Sequence, residues 1–333
     1  MKKEFASRIK DIESLNIISS GYRSSIILLT AVKEKVFTYL DDKAKSASEI
    51  SKKLRTNPRA TEILLNALTG MGFLKKKSGK YSNAKISSEY LVEGKPYYQG
   101  NILEHNWNIM QRWIKLDEVL KTGKPATDKS RRTKKETEAF ILGMQNIAKQ
   151  SAKQLLEKVD ISDCRNMFDL GGGPATYSIA FTKANPQLKA KVIDFKDVLV
   201  IARKQIKKNK AERVSTQIGD IQDGSYGKDA DLILISNIIH SMGPDEIQNV
   251  FRNCAEASVK GGMLIVKDFF PKDDRSGPEF ATSFAINMLV GTDNGNTYTV
   301  KEVKSWMRSA GFGRITKRSL AANSSILVGY KAE

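Results

Sequence analysis

The chain has 333 residues, enough for two domains that each bury a core of their own. Its formal net charge at pH 7 is +18, an excess found in nucleic-acid-binding proteins, in enzymes of anionic substrates and, most commonly, on ordinary soluble surfaces. Its two cysteines, Cys164 and Cys254, exclude a disulfide-rich scaffold and lack the spacing of a metal site.

The beginning of the chain predicts neither a signal peptide nor a membrane span. Met1-Lys2-Lys3-Glu4 is followed by a mixed, charged segment. No apolar run approaches the roughly 20 residues that cross a bilayer. We therefore expect a cytoplasmic protein with no membrane partner.

The first third of the chain predicts a mainly helical module of the winged-helix type. Residues 5–40 predict two helices, and the second carries an apolar face that is wider than a solvated helix needs, as at a subunit interface. Ser46 and Glu49 have the spacing of a capping box, and Pro58 begins a further helix. Residues 73–81 then predict a small hairpin with a lysine-rich turn.

A winged helix often binds DNA through its second helix, so a DNA-binding regulator is one alternative. In residues 57–71 the only candidates for base readers are Arg59, Asn66 and a few hydroxyls, and the helix face is mainly apolar. We therefore expect nucleic acid not to be a partner.

Residues 97–122 predict another helical stretch, with Trp107, Met110 and Trp113 spaced along it. It also contains His105, and a histidine among aromatic residues is more often a packed core residue than a catalyst. We regard Trp107 and Met110 as candidate substrate contacts.

A basic segment at 124–135, which contains Pro125 and follows Gly123, predicts a linker. Residues 136–159 predict a long amphipathic helix that leads into the second half. The predicted domains are 1–123, a winged-helix dimerisation and substrate-covering domain; 124–159, the linker and connecting helix; and 160–333, the cofactor-binding catalytic domain.

A strand, a glycine turn and a helix follow one another at 166–184 and form a place for the polar groups of a ligand. Asp169 stands two residues before Gly171, where it would repel a dinucleotide pyrophosphate and attract an ammonium group. Asp194 closes the next apolar run, where a carboxylate can accept hydrogen bonds from both ribose hydroxyls. Asp220 ends a third apolar run, where its carboxylate can accept a hydrogen bond from an adenine amino group.

Acids at three successive strand ends suit a ligand with a cationic head and an unphosphorylated ribose, and S-adenosylmethionine is that ligand. The alternative is that these residues are helix caps and turn residues, since Asp is common at both. The predicted cofactor site comprises Asp169, Gly171, Gly172, Gly173, Asp194, Phe195, Gly219, Asp220, Ile221, Ser236 and Asn237. No metal-ligand cluster is visible.

The second half alternates strands with helices and predicts an α/β fold. Further strands are predicted at 230–235 and 262–266, helices at 245–259 and 299–310, and an antiparallel pair at 314–318 and 325–330. The predicted architecture is a doubly wound, Rossmann-like, mostly parallel sheet with a reversed strand at one edge.

His240 and Asp268 both follow predicted strands, so both should face the crevice beyond the carboxyl ends of the strands. A phenol has a pKa of about 10 and is scarcely ionised at neutral pH. An imidazole can take its proton as the methyl group is attacked, and a carboxylate can fix the tautomer. Alternatively, His240 caps the helix at 244–245 and Asp268 bonds backbone; spacing does not separate the two interpretations.

In their order and spacing, these pieces resemble the plant and microbial small-molecule O-methyltransferases of the caffeate and hydroxyindole type, over nearly the whole chain. The matching segments are Lys80-Tyr81-Ser82-Asn83, Asp169-Leu170-Gly171-Gly172-Gly173, Asp194-Phe195, Gly219-Asp220, the segment 239–246, Asn287-Met288-Leu289 and Ser309-Ala310-Gly311-Phe312. The resemblance implies a homodimer whose N-terminal domains intertwine and cover the partner's active site. It also implies that His240 is the general base and that Asp268 orients it. The implied cofactor contacts are Gly171, Asp194, Asp220 and Ile221.

The sequence departs from this family in three places. Many relatives have Asp-Trp after the histidine, where this chain has Ser241-Met242. Many also have a second glutamate just before the position of Thr299, and here Asn296-Thr297-Tyr298 contains none. A lysine often found near the adenine is replaced by Ser236. Relatives with altered acids methylate carbon or nitrogen, so a carbon, nitrogen or tetrapyrrole-like acceptor is the alternative to a hydroxyl.

The expected reaction is methyl transfer to a hydroxyl of a small, aromatic acceptor. The predicted acceptor pocket is lined by Trp107, Met110, Phe269, Phe284, Asn287, Met288 and Tyr298. These side chains indicate an apolar, flat molecule without identifying it.

Overall fold

The computed structural model describes residues 9–126, 134–321 and 323–332, so the predicted linker at 124–135 lies partly outside the described residues. The chain divides into an N-terminal unit of residues 7–111 and a C-terminal unit of residues 112–333.

Short helices and a small antiparallel sheet make up the N-terminal unit. Its helices are α1 (Ile12–Ser20), α2 (Tyr22–Lys33), α3 (Val36–Leu40), α4 (Ala47–Leu54), α5 (Pro58–Gly70), α6 (Lys85–Tyr90) and α7 (Gly100–Trp113), whose last two residues belong to the C-terminal unit. The strands β1 (Lys45–Ser46), β2 (Leu74–Lys77) and β3 (Lys80–Asn83) pair in the order β1-β3-β2. Three helices therefore occupy the segment for which the apolar pattern predicts two.

The predicted capping box and hairpin are both present in this unit. The backbone N–H of Ser46 donates to Glu49 Oε2 at 2.7 Å, and the N–H of Glu49 donates to Ser46 Oγ at 3.2 Å. On β3, the fully buried Tyr81 donates its hydroxyl to Asn66 Oδ1 at 2.8 Å, an atom that also accepts from Lys76 Nζ at 2.8 Å. Asn66, one of the few candidate base readers, is therefore already held by hydrogen bonds.

The helices α1 and α2 expose much of their apolar surface. Ile12 is 71% exposed, Ile17 64% and Tyr22 56%. By length and composition, Ile12–Lys33 is apolar enough to cross a membrane, with a hydropathy of 1.2 and 17% of the stretch buried, although the sequence predicts no run of that kind. A single such stretch is weak evidence for a membrane span, because helices that pack against other protein surfaces have the same composition.

Alternating helices and strands make up the C-terminal unit. The helices are α8 (Leu116–Thr122), α9 (Lys134–Leu156), α10 (Thr176–Ala184), α11 (Lys196–Lys208), α12 (Pro244–Ala257), α13 (Glu279–Gly291) and α14 (Val300–Ser309). The strands are β4 (Asn166–Leu170), β5 (Lys189–Asp194), β6 (Val214–Ile218), β7 (Ala230–Ser236), β8 (Ser258–Asp268), β9 (Phe312–Ser319) and β10 (Ser325–Lys331).

The seven strands of this unit form one sheet in the order β6-β5-β4-β7-β8-β10-β9. The strands β4 to β8 pair in parallel, and β10 is antiparallel to both of its neighbours. The predicted Rossmann-like class is confirmed, with one refinement: the reversed strand is β10, which lies one place inside the edge formed by β9.

Helices cover both faces of the sheet, and each face has its own apolar core. Leu155 of α9 and Phe181 of α10 are fully buried on one face. Phe251 of α12 and Met307 of α14 are fully buried on the other. Because the strands β4 to β8 are parallel, their carboxyl ends meet at one edge of the sheet, which is where a ligand binds in folds of this kind.

Candidate active site

The glycine turn after β4 requires its glycines. Gly171 has φ +65°, and a Cβ on it would lie 2.6 Å from Ile238 Cδ1. A Cβ on Gly172 would lie 2.6 Å from Cγ of Asp169, and Gly173 has φ +54°. Backbone conformation and space therefore both select glycine, which leaves the backbone of the turn open to a ligand.

Asp169 is a buried carboxylate that is only half paired. Its Oδ2 accepts from Ser178 Oγ at 2.7 Å, whereas no hydrogen bond reaches the buried Oδ1 from the residues that the structure describes. Burial, reinforced by the charge of Asp194, raises the pKa of Asp169 to about 6. An acceptor atom is thus held at the base of the turn without a protein donor.

Asp194 ties the end of β5 to the glycine turn. Its Oδ2 accepts from the backbone N–H of Gly173 at 2.9 Å, and its Oδ1 accepts from the N–H of Phe195 at 2.7 Å. Burial raises the pKa of this carboxyl, and the two backbone hydrogen bonds oppose that shift. Each oxygen retains a lone pair that can accept from a further hydroxyl. Phe195 itself is 60% exposed and offers a free ring face beside this carboxylate.

The segment after β6 forms a local turn, as expected if Asp220 is a turn residue. The N–H of Gly219 donates to the carbonyl of Asp194 at 3.2 Å. Asp220 is half-buried, and its Oδ1 accepts from the N–H of Gln222 at 2.9 Å, as in an Asx turn. Ile221 is also half-buried, and its carbonyl accepts from the hydroxyl of Tyr226. The local turn thus accounts for one oxygen of Asp220 and leaves the other available.

The end of β7 pairs with a buried lysine that sequence reasoning missed. Ser236 lies opposite Lys267 in the parallel register of β7 and β8. Asn237, with φ +57°, donates its N–H to the carbonyl of Lys267 at 2.8 Å and accepts from Lys267 Nζ at 2.7 Å. Position 267 lies in the continuously buried stretch 262–268 of β8, so only its charge, unusual among buried residues, was a signal.

His240 and Asp268 lie in direct contact. His240 sits in a short 3₁₀ turn after β7, Asp268 ends β8, and both side chains are buried. His240 Nδ1 is 2.8 Å from Asp268 Oδ1, which also accepts from the N–H of Phe269 at 2.8 Å. Since the carboxylate receives the hydrogen on Nδ1, the lone pair lies on Nε2, which is the nitrogen able to accept a proton.

The alternative interpretation of His240 is that it caps the start of α12. The N-cap of α12 is instead Gly243, whose N–H donates to Glu246 Oε2 at 2.6 Å. His240 contributes only backbone to its surroundings there, through a carbonyl that accepts from the N–H of Asn296 at 2.9 Å. The imidazole is therefore not used for helix capping.

Two phenylalanines flank the imidazole, and a third packs against them. The rings of His240 and Phe284 meet edge to face with centroids 4.8 Å apart, and Phe269 stacks at 6.2 Å. Phe280, which the sequence did not single out, lies 4.8 Å from Phe269 and 5.9 Å from Phe284. This aromatic cluster of Phe269, Phe280 and Phe284 forms an apolar wall beside the candidate base.

The other predicted pocket residues have different environments. Asn287 Oδ1 accepts from Trp113 Nε1 at 2.9 Å, and Met288 is buried. The hydroxyl of Tyr298 donates to the carbonyl of Met242 at 2.5 Å, and burial raises its pKa to about 12. Tyr298 therefore holds the segment after His240 in place and does not present its hydroxyl to a ligand.

The tryptophan and methionine of α7 belong to the N-terminal unit. In that unit, Lys33 Nζ lies 4.6 Å from the ring centroid of Trp107, and Met110 is half-buried. Their predicted role in binding the acceptor stays a prediction. Within the described part of the chain, no group of three or more His, Cys, Asp or Glu side chains is placed to hold a metal ion.

Two family models match the chain. One, described as an O-methyltransferase domain, matches residues 118–313. The other, described as an O-methyltransferase dimerisation domain, matches residues 17–93. Together they account for both units of the fold.

Curated relatives span the whole chain. The 3-hydroxy-5-methyl-1-naphthoate 3-O-methyltransferase of Streptomyces sahachiroi is 29% identical over 328 residues, which cover 96% of this chain and 95% of that protein. The acetylserotonin O-methyltransferase of Bos taurus is 27% identical over 336 residues, covering 94% of this chain and 96% of that protein.

Solved structures share the fold. An O-methyltransferase family protein from Burkholderia thailandensis superposes with a TM-score of 0.88 at 25% identity, covering 98% of this chain and 99% of that one. Human N-acetylserotonin methyltransferase in complex with SAM superposes with a TM-score of 0.88 at 22% identity, and the match covers 100% of both chains.

Proposed function

This chain belongs to the O-methyltransferase family, and on that premise we propose that it transfers a methyl group from S-adenosylmethionine to a hydroxyl of a small aromatic acceptor, with His240 as the general base. The observation that carries the proposal is the buried pair of His240 and Asp268, 2.8 Å apart, at the sheet edge that also holds the glycine turn. The relatives from Streptomyces sahachiroi and Bos taurus are named for O-methylation of a hydroxynaphthoate and of acetylserotonin, both of which are aromatic.

The residues around the glycine turn fit the cofactor. The unpaired, buried Oδ1 of Asp169 is suited to the ammonium group of the methionine moiety. Asp194 has lone pairs left for the ribose hydroxyls, and the exposed ring of Phe195 can stack on the adenine. When bound, S-adenosylmethionine supplies an electrophilic methyl carbon on a positively charged sulfur, which leaves as a neutral thioether.

His240 removes the proton of the acceptor. Its Nε2 takes the hydrogen of the acceptor hydroxyl as the oxygen attacks the methyl carbon in line with the departing sulfur. The carboxylate of Asp268 keeps Nδ1 protonated beforehand and stabilises the imidazolium that results. The proton then passes to solvent, which restores the neutral imidazole.

The aromatic cluster positions the acceptor. Phe284 contacts the His240 ring edge to face, so an acceptor ring packed on the cluster brings its hydroxyl toward Nε2. Holding the reacting atoms in line contributes much of the rate in reactions of this kind. A pocket lined by phenylalanine also excludes water.

A thermal melt tests the cofactor site. We expect S-adenosylmethionine and S-adenosylhomocysteine to raise the melting temperature by several degrees, and NAD to have no effect. A ligand at about 100 times its dissociation constant adds roughly 2.7 kcal/mol to the stability of the domain that binds it. No shift with either adenosyl ligand would contradict the site at Asp169 and Asp194, and binding of a labelled DNA duplex would then be the next measurement.

We also propose that the protein is a homodimer through its N-terminal unit. The exposed apolar face of α1 and α2 supports this, because surfaces of that kind mark interaction sites. The dimerisation-domain match at residues 17–93 covers most of this face. Sedimentation should give twice the chain mass of 37.1 kDa.

A charge placed on this face should separate the subunits. Ile17→Asp is expected to shift the protein toward the monomer, because burial of an unpaired carboxylate is strongly unfavourable. Ile86→Asp, at an isoleucine of α6 that is also exposed (50%, against 64% for Ile17), should leave the mass unchanged. A monomeric wild type, or an Ile17→Asp protein that stays fully dimeric, would contradict the assignment.

A further inference from the structure

Lys267 is a buried cation without an anionic partner. Only 2% of the residue is exposed, and lysine is rarely buried unless it is paired. Its Nζ donates to the neutral amide oxygen of Asn237 at 2.7 Å, and within the described ranges no carboxylate forms an ion pair with it. An ammonium has three N–H donors, so this hydrogen bond leaves two for other acceptors.

The ammonium lies beside the aromatic cluster. Lys267 Nζ is 5.7 Å from the ring centroid of Phe269, the same ring that stacks on His240 at 6.2 Å. The ring of Phe269 therefore neighbours both the cation and the candidate base. An aromatic acceptor packed on this ring, with its hydroxyl at His240, can direct another substituent toward Nζ.

The lysine is held in position from both sides. Its carbonyl accepts from the N–H of Asn237 at 2.8 Å, while its side chain reaches the oxygen of the same residue. Burial lowers the pKa of Lys267 to about 8, and the neighbouring charge of Asp268 opposes that shift, so most molecules keep the charge at neutral pH. A fixed, desolvated cation beside a ligand site favours an anionic ligand group, which relieves the unpaired charge.

We propose that Lys267 binds a carboxylate on the aromatic acceptor, so that the substrates of this enzyme are hydroxylated aromatic carboxylic acids. The inference rests on the proposed function, since it assumes that the acceptor ring packs on the cluster beside His240. Lys267 is then a specificity-determining residue: it selects among acceptors and takes no part in proton transfer. The carboxylate of the cofactor's methionine moiety is the competing partner for the same ammonium.

Binding of two matched ligands tests this inference without methyl transfer. Naphthoate and naphthamide have the same ring, and differ in that the first carries a negative charge. Their affinities are measured by titration calorimetry with the full-length protein saturated with S-adenosylhomocysteine. We expect wild type to bind naphthoate at least about 10-fold more tightly than naphthamide, because hydrogen bonds to charged groups are the stronger kind.

Substitutions at the lysine identify the group responsible. In Lys267→Met the preference should fall to within about twofold, and Lys267→Arg should keep it, since both cations bind carboxylates. Lys260→Met removes the same charge from an exposed position of β8 and should keep the preference. Lys267→Gln provides a second neutral variant should the methionine protein fail to fold.

Several outcomes overturn the inference. These are equal affinities for the two ligands in wild type, no binding of either, or an unchanged preference in the neutral variants. Weaker binding of S-adenosylhomocysteine by Lys267→Met, with the naphthoate preference intact, assigns the lysine to the cofactor instead. If wild type does not bind S-adenosylhomocysteine, the proposed function fails as well; if it does, a missing naphthoate preference removes only the carboxylate-bearing substrate class.

Discussion

His240→Ala is expected to lower the turnover number for methyl transfer to a phenolic acceptor by about 10²- to 10⁴-fold, the range that general-base catalysis contributes. A phenol is scarcely ionised at neutral pH, and the substitution removes the nitrogen that would take its proton. Transfer of the labelled methyl group from S-adenosylmethionine measures the rate. The acceptor is chosen from a panel of hydroxylated naphthoates and indoles as the one that wild type turns over fastest.

Two further variants separate a loss of base catalysis from a loss of structure. Ser241→Ala changes the next residue, whose hydroxyl donates only to the carbonyl of Ile238 at 2.7 Å, and should keep nearly full activity. Asp268→Asn should lose part of the rate, because an amide neither fixes the imidazole tautomer as strongly nor stabilises the imidazolium. All three proteins should still be stabilised by S-adenosylhomocysteine, whose proposed contacts lie on β4 and β5.

Near-normal turnover by His240→Ala, together with intact cofactor binding, would contradict the base assignment. An acceptor atom that is already nucleophilic needs no base, so this result would favour methylation of carbon or nitrogen. The histidine experiment therefore also distinguishes between classes of acceptor atom.

Much of the candidate site could be predicted because parallel strands bring their carboxyl ends together. Asp194 and Asp268 lie 74 positions apart in the sequence, yet both end strands that the alternation of strands and helices predicts to be parallel in one sheet. The same rule places His240 and Asp268 at this edge, but their spacing left open whether the two side chains touch. The glycine turn was predictable for a local reason, since Gly171 needs a positive φ as well as the space of a missing Cβ.

The rest of the site depends on packing that the sequence does not display. The helix α13, which brings Phe280 and Phe284 to Phe269, was not identified, because its apolar residues are not confined to one face and show no helical periodicity. Tyr298 was expected to line the pocket, but the carbonyl of Met242 takes its hydroxyl. Lys267 lies within the buried part of β8, and its charge alone does not show which group its ammonium contacts.

Asp169→Asn is expected to stabilise the free protein near neutral pH and to weaken its binding of the cofactor. In the free protein, the buried carboxylate has a pKa of about 6, against about 3.9 in an unfolded chain. Its protonated form therefore stabilises the fold below about pH 4, and that contribution is lost between about pH 4 and pH 6. Since asparagine stays neutral, the stability of the variant relative to wild type should improve by roughly 2–3 kcal/mol over that range and stay constant above it. Urea unfolding at pH 4.5 and at pH 7.5 measures the change.

The same substitution should weaken cofactor binding. If Oδ1 of Asp169 accepts from the ammonium of the methionine moiety, its loss removes a charge-assisted hydrogen bond of about 1.5–3 kcal/mol, or roughly a 10- to 100-fold rise in the dissociation constant. Asp163→Asn, which neutralises an exposed carboxylate just before β4, should change neither quantity. Unaltered affinity in a variant that gains stability would mean that the ammonium binds elsewhere. Because a buried carboxylate with one unpaired oxygen destabilises the free fold, weakened binding in a stabilised variant would indicate that the cofactor's ammonium compensates for this cost.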